Sequence, residues 1–148
     1  MEEQLIVRLK EVLQGYKDIP LDYVVEQVRE VLKKRTIKAF HVNKHIPSGY
    51  EDQGAFNLLL ITGGHTLFDC VIGEEYFRYD AVSLKEIEKF QVIDGVWENK
   101  ESKKTEAFLS LRLSHGEESH IALALEDTDR PGLKGLADLV LSIRNPEA

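Results

Sequence analysis

Apolar positions in the first quarter of the chain recur with a helical period. Between residues 3 and 14, Leu5, Ile6, Leu9, Val12 and Leu13 fall on one stripe of an α-helix. Gly15 supplies a stop, since glycine enters the left-handed region without a Cβ clash. Asp18-Ile19-Pro20 restarts the chain, and proline suits a first helical turn, where its missing N–H would have no partner. Leu21, Val24, Val25, Val28 and Leu32 repeat the stripe over residues 20–34. The short connection predicts an antiparallel helical hairpin over residues 1–35. Each stripe must be covered by the other helix, by the rest of the chain or by a second subunit.

From Thr36 the period changes to two. Strands are predicted at 36–43, 55–62, 65–72, 75–81, 86–93, 105–113 and 119–125, with a loop over 44–54. Asp94-Gly95 is expected to bend or bulge the chain before Val96-Trp97. Gly63-Gly64 reads as a two-residue primed turn, which needs positive φ. Across Ser114-His115-Gly116-Glu117, Leu109, Leu111 and Leu113 are expected to match Ile121, Leu123 and Leu125 as inward faces. The chain then closes on a helix whose stripe is Leu133, Leu136, Ala137, Val140 and Ile143, capped by Asp127-Thr128-Asp129. No repeat, low-complexity segment or linker divides the chain. The expectation is one α+β domain, with residues 1–35 as a helical hairpin belonging to the same domain as 36–148.

Seven antiparallel strands followed by one amphipathic helix resemble the pleckstrin-homology (PH) superfold. The stretch Leu67-Phe68-Asp69-Cys70-Val71-Ile72, through Phe77-Arg78-Tyr79 to Ser83-Leu84-Lys85-Glu86-Ile87, is similar to the strand-strand-corner pattern of bacterial PH-like and GRAM-like domains. The resemblance covers residues 36–144. It implies a seven-stranded antiparallel barrel stoppered by its C-terminal helix. The pattern departs from the family in two places. PH domains carry a tryptophan in the closing helix, whereas Trp97 lies before it. The basic phosphate fork of lipid-binding members is missing, because Lys38 and Lys44 are followed by Glu51, Asp52 and Ala55-Phe56-Asn57-Leu58. The competing architecture is an NTF2-like cone, which would enclose a cavity for binding or converting a small molecule.

Length and composition fit that architecture. The chain has 148 residues, 43% apolar and 30% charged, as in ordinary globular domains. No run approaches the roughly 20 apolar residues of a membrane span. The start, Met1-Glu2-Glu3-Gln4, is acidic where a secretory signal is basic. The lone Cys70 leaves no disulfide framework within the chain. Together these predict a cytoplasmic protein. Residues 1–35 are electrically balanced, so the net charge of −7 falls on 36–148. An acidic body repels phosphate backbones, and no nucleic-acid partner is expected.

Residues that could carry chemistry are few. His41 and His45 are four apart, but along a strand that spacing is about 13 Å, too far to share a zinc ion. His65 and His115 fall in turns, His120 stands on a strand, and no metal or cofactor is expected. Cys70 reads as core, with no cation beside it to make a thiolate. Asp69 and Asp80 would face a cavity with His41 only in the cone alternative. No G-x-S-x-G, H-E-x-x-H or P-loop pattern occurs, so no catalytic residue is assigned. Lys33, Lys34 and Arg35 are candidate anion contacts, through which an anionic membrane lipid is a further alternative; their plainer role is to offset a helix C-terminus. Lys100, Lys103 and Lys104 read as a solvated turn. Partner contacts are expected at Leu5, Leu9 and Val12 on the first helix and at Tyr50, Tyr76 and Trp97 near loops. The predicted function is a non-enzymatic module binding a protein, a peptide or its own copy.

Overall fold

The computed structural model describes residues 1–43, 54–98, 100–125 and 129–144, and the side chains of Trp97 and Glu106 lie outside that description. The order is α1 (Glu2–Leu13), α2 (Leu21–Leu32), β1 (Ile37–Asn43), β2 (Phe56–Thr62), β3 (Thr66–Ile72), β4 (Phe77–Ser83), a 3-10 turn (Leu84–Glu86), β5 (Lys89–Glu98), β6 (Thr105–His115), β7 (Glu118–Ala124) and α3 (Arg130–Arg144). The α+β class, the opening helical hairpin and the closing helix are as the periodicities predict. The closed barrel is not. The strands form two antiparallel sheets, β1-β2-β3-β4 and β5-β6-β7, with no ladder joining them among the described residues.

Two cores explain the arrangement. On the outer face of the first sheet, Phe56, Leu58, Leu60, Phe68, Cys70 and Ile72 pack with Leu5, Leu9, Val12, Val24, Val28 and Leu32. On its inner face, Leu59, Ile61, Leu67 and Val82 meet Leu109, Leu111, Leu113, Ala122 and Ala124 of the second sheet, with Leu133, Leu136 and Val140 of α3 in the same cluster. The space between the sheets is thus filled by the chain's own last helix. Strand β2 is buried on both faces along its whole length, which is why its apolar run is continuous rather than alternating.

The turns differ instructively from expectation. Positive φ in the β2–β3 connection falls on His65, not on Gly63 or Gly64. The loop therefore has three residues, a tight turn ending in a left-handed residue, rather than a two-residue primed turn. The β6–β7 connection is the two-residue kind: His115 pairs with Glu118, and Gly116 takes φ +57°. That short turn sets Leu113 opposite His120, Leu111 opposite Ala122 and Leu109 opposite Ala124. The inward residues of β7 are therefore His120, Ala122 and Ala124, and the matching with Ile121, Leu123 and Leu125 is corrected by one residue. Two alanines on the inner face leave room for the leucines of α3 in the same core. Strand β5 runs unbroken through Asp94-Gly95, so no bulge forms. Instead, the Phe108 ring lies across Gly95, where any Cβ would sit 2.9 Å from it.

Candidate functional site

Where β1 and β7 approach without a ladder, side chains hold the gap. The Asn43 amide grips the edge of β7 on both sides: its Nδ2 donates to the Ile121 carbonyl at 2.9 Å, and its Oδ1 accepts the Leu123 N–H at 2.8 Å. His41 Nε2–H donates to the Leu123 carbonyl at 2.9 Å. One amide and one imidazole stand in for backbone pairing at this seam between the sheets.

The same inner face carries a polar chain from Asn43 to the second sheet. Asn43 Nδ2 also donates to Asn57 Oδ1. Asn57 Nδ2 donates in turn to Asp69 Oδ1 at 2.6 Å and to the Cys70 carbonyl at 2.8 Å. Asp69 Oδ2 accepts from His120 Nδ1 at 2.6 Å, joining β3 to β7. Both oxygens of Asp69 are engaged, so its carboxylate is fixed in place.

His120 is 3% exposed and stacks on His115, with ring centroids 5.6 Å apart and planes 16° off parallel. The Nε2 atoms of both imidazoles are buried and accept or donate no hydrogen bond. His115 Nε2 does lie 3.3 Å from Glu118 Oε2, but without the alignment of a hydrogen bond. His115, Glu118 and His120 share the inner face because the register places them opposite and diagonal to one another. One ligand atom from each lies within 4.8 Å of the others. The Asp69 contact, chiefly its hydrogen bond, raises the His120 pKa above the usual histidine value against the opposing effect of burial. Burial lowers that of His41, with partial offset from the Leu123 bond and Asp129.

The residues singled out from sequence fare differently. Leu5, Leu9 and Val12 are buried within the chain's own outer core. That corrects the expectation that they present an apolar stripe to a partner. Tyr76 is partly buried, with its ring packed over Gly73. Trp97 stands on β5 opposite Glu106. Tyr50 and His45 lie outside the described residues. Lys33 and Lys34 both take left-handed backbone where α2 ends, and the Arg35 guanidinium sits 5.7 Å over the Phe68 ring. The basic run thus sits where α2 ends. Cys70 is fully buried, and burial followed by the nearby Asp69 and Asp80 pushes its thiol far up, which leaves it inert. Asp69 and His41 lie on the inner face, as the cone alternative required, whereas Asp80 is exposed, and an aliphatic core shared with α3 lies between the sheets.

Two open surfaces stand out among the described residues. A groove of about 790 Å³ between α1, β1 and α3 is lined by Arg8, Lys38, Phe40, His41, Gly132 and Gly135, among others, with the Arg8–Asp129 ion pair at its side. The second is β5, ten residues long and paired only with β6 among the described residues. Val92, Ile93 and Val96 on it are 47%, 45% and 64% exposed. Comparison with known proteins adds no relative: no protein family, no curated protein and no solved structure matches this chain.

Proposed function

We propose that this chain is a non-enzymatic binding module of PH-like build that pairs with its own copy through strand β5. The PH-like reading is supported by the order of four and then three antiparallel strands and by the closing helix seated between the two sheets. The observation that carries the binding role is the outer edge of β5. A long, apolar edge with unpaired backbone groups is a template for a further strand, and proteins ordinarily blunt such edges. Of the two outer edges, β4 is shorter and has one large exposed apolar residue, Tyr79, whereas β5 presents Val92, Ile93 and Val96 along with Lys89, Asp94 and Glu98.

The sequence of β5 favours a second copy over an unrelated peptide. Antiparallel pairing about its midpoint sets Lys89 opposite Glu98, Phe90 opposite Trp97, and Ile93 opposite Asp94 in both halves. The charges at the ends thus complement themselves under two-fold symmetry, as an isologous interface requires. The outcome is a continuous six-stranded sheet.

Size-exclusion chromatography with light scattering tests this across a concentration series. The wild type is expected to be dimeric. Lys89→Glu places like charges at both ends of the pairing and weakens the dimer about tenfold, at roughly 0.5–1 kcal/mol per rim contact. Adding Glu98→Lys restores it. A protein that stays monomeric throughout, or a double variant no tighter than the single one, removes the reading.

A further inference from the structure

We propose that His115, Glu118 and His120 form a binding site for a zinc-class divalent cation at the β6–β7 hairpin, with Asp69 as the residue that orients His120. Buried polar atoms in proteins are nearly always satisfied, and each exception calls for a reason. Here two stacked imidazoles have buried Nε2 atoms without a hydrogen-bond partner, beside a carboxylate. His120 is 3% exposed, so water does not satisfy its nitrogen from bulk. An electron-pair acceptor placed among the three ligand atoms would satisfy both rings at once.

The hydrogen bonding around His120 has the arrangement such a ligand needs. Asp69 holds the proton on Nδ1, which in the neutral ring leaves the Nε2 lone pair available. A carboxylate on the far nitrogen is the usual partner of a metal-binding histidine, fixing its tautomer and strengthening its basicity. Asp69 is itself fixed by Asn57, and Asn57 by Asn43 and the Cys70 carbonyl. The orientation of His120 is therefore set by three strands of the opposite sheet.

Two imidazoles and one carboxylate suit zinc and its neighbours rather than calcium or magnesium, which prefer oxygen ligands alone. Bonds of about 2.0–2.2 Å in a tetrahedron put ligand atoms roughly 3.4 Å apart. His115 Nε2 and Glu118 Oε2 are already at 3.3 Å, and one ligand atom from each of the three residues lies within 4.8 Å of the others. Glu118 is 69% exposed at the side chain, so its carboxylate can adjust to a cation held by the two rings. Three protein ligands leave a fourth position for water. Among the described residues, this is the one group of three such side chains with converging ligand atoms.

Isothermal titration calorimetry of the full chain with Zn²⁺, paired with Co²⁺ absorption spectra, tests the site. The wild type is expected to bind one Zn²⁺ and to give the Co²⁺ spectrum of a four-coordinate nitrogen and oxygen site. His115→Gln and Glu118→Gln, both near the hairpin tip where folding is least at risk, are each expected to weaken binding at least tenfold. Asp69→Asn keeps all three ligands yet is expected to lose 10–100-fold, the usual cost of removing an orienting carboxylate. It should also shift the Co²⁺ spectrum, which a purely structural role would leave unchanged. Zn²⁺ affinity equal in the wild type and the His115→Gln/Glu118→Gln double variant would place any bound cation elsewhere and overturn the proposal. So would a wild type that binds none.

Discussion

The two inward histidines, His41 and His120, respond to their surroundings in opposite directions, and this fixes the sign of their effects on stability. The Asp69 hydrogen bond raises the His120 pKa, with Asp80 and Glu118 adding to it, while burial opposes. A raised folded-state pKa stabilises fully below the unfolded value of about 6.5, and the contribution is lost as pH rises through the folded pKa. Burial lowers the His41 pKa, assisted by Arg8 and opposed by the Leu123 bond, Asp129 and Asn43. Its contribution is complete above about 6.5 and is lost as pH falls through the depressed value. The two contributions fall off on opposite sides of about pH 6.5, that of His120 toward base and that of His41 toward acid. Melting temperatures measured from about pH 5 to about pH 8 should therefore diverge in variants. His120→Asn, left with the His41 slope, loses more stability on acidification than the wild type. His41→Gln, left with His120, loses more as pH rises. Parallel curves for the two variants would show that neither ring titrates differently in the fold.

At the scale of elements, the gap between β1 and β7 depends on Asn43, which is 1% exposed and bonds Ile121, Leu123 and Asn57. Asn43→Ala removes one side chain and leaves an N–H and two carbonyl oxygens without that partner. Each buried polar group left unsatisfied costs about 1–3 kcal/mol. Partial rescue by neighbours puts the expected loss at about 2–3 kcal/mol in urea denaturation. A loss within about 0.5 kcal/mol, the range of an ordinary surface change, would mean that the sheets hold together without it. The helices, the seven strands and their order were legible in the sequence, because each rests on a local period of 3.6 or 2. The face of β7 was not. Ile121, Leu123 and Leu125 are the more apolar set, yet the two-residue turn at Gly116-Glu117 fixes the register and sends His120, Ala122 and Ala124 inward. Alternation alone favours the larger side chains, whereas the closing helix needs the smaller ones. The same slip hid the His115–Glu118–His120 group, whose members are close in sequence but share one face only in the observed register. The spacing His-x-x-Glu-x-His across a two-residue turn is the signal that could have found it. Barrel closure was equally out of reach, since it turns on whether the edges of the two sheets pair directly or, as at β1 and β7, meet through side chains.

For the whole molecule, the decisive fact is that the first sheet has two buried faces and needs a cover on each. The inner face has α3 and the second sheet. Among the described residues the outer face is covered by the α1–α2 hairpin, which buries Leu5, Leu9, Val24 and Val28 against Phe56, Leu58, Leu60 and Ile72. Those four sheet residues are fully buried. Uncovering a Phe, Leu or Ile of this kind forfeits about 1.5–3 kcal/mol per side chain, and a typical domain has only about 5–15 kcal/mol of net stability. Four such residues alone exhaust most of that margin, before Phe68 and Cys70 are considered. A chain beginning at residue 36 is therefore expected to aggregate or to bind a hydrophobic dye, rather than to persist as a soluble β body. Adding a synthetic 1–35 peptide during refolding should recover it in part, because the lost surface is complementary to that segment alone. Circular dichroism and light scattering of 36–148 decide the matter. A soluble, cooperatively melting monomer from residues 36–148 would mean that the helices are an appendage, and that their apolar stripes are available for a partner after all.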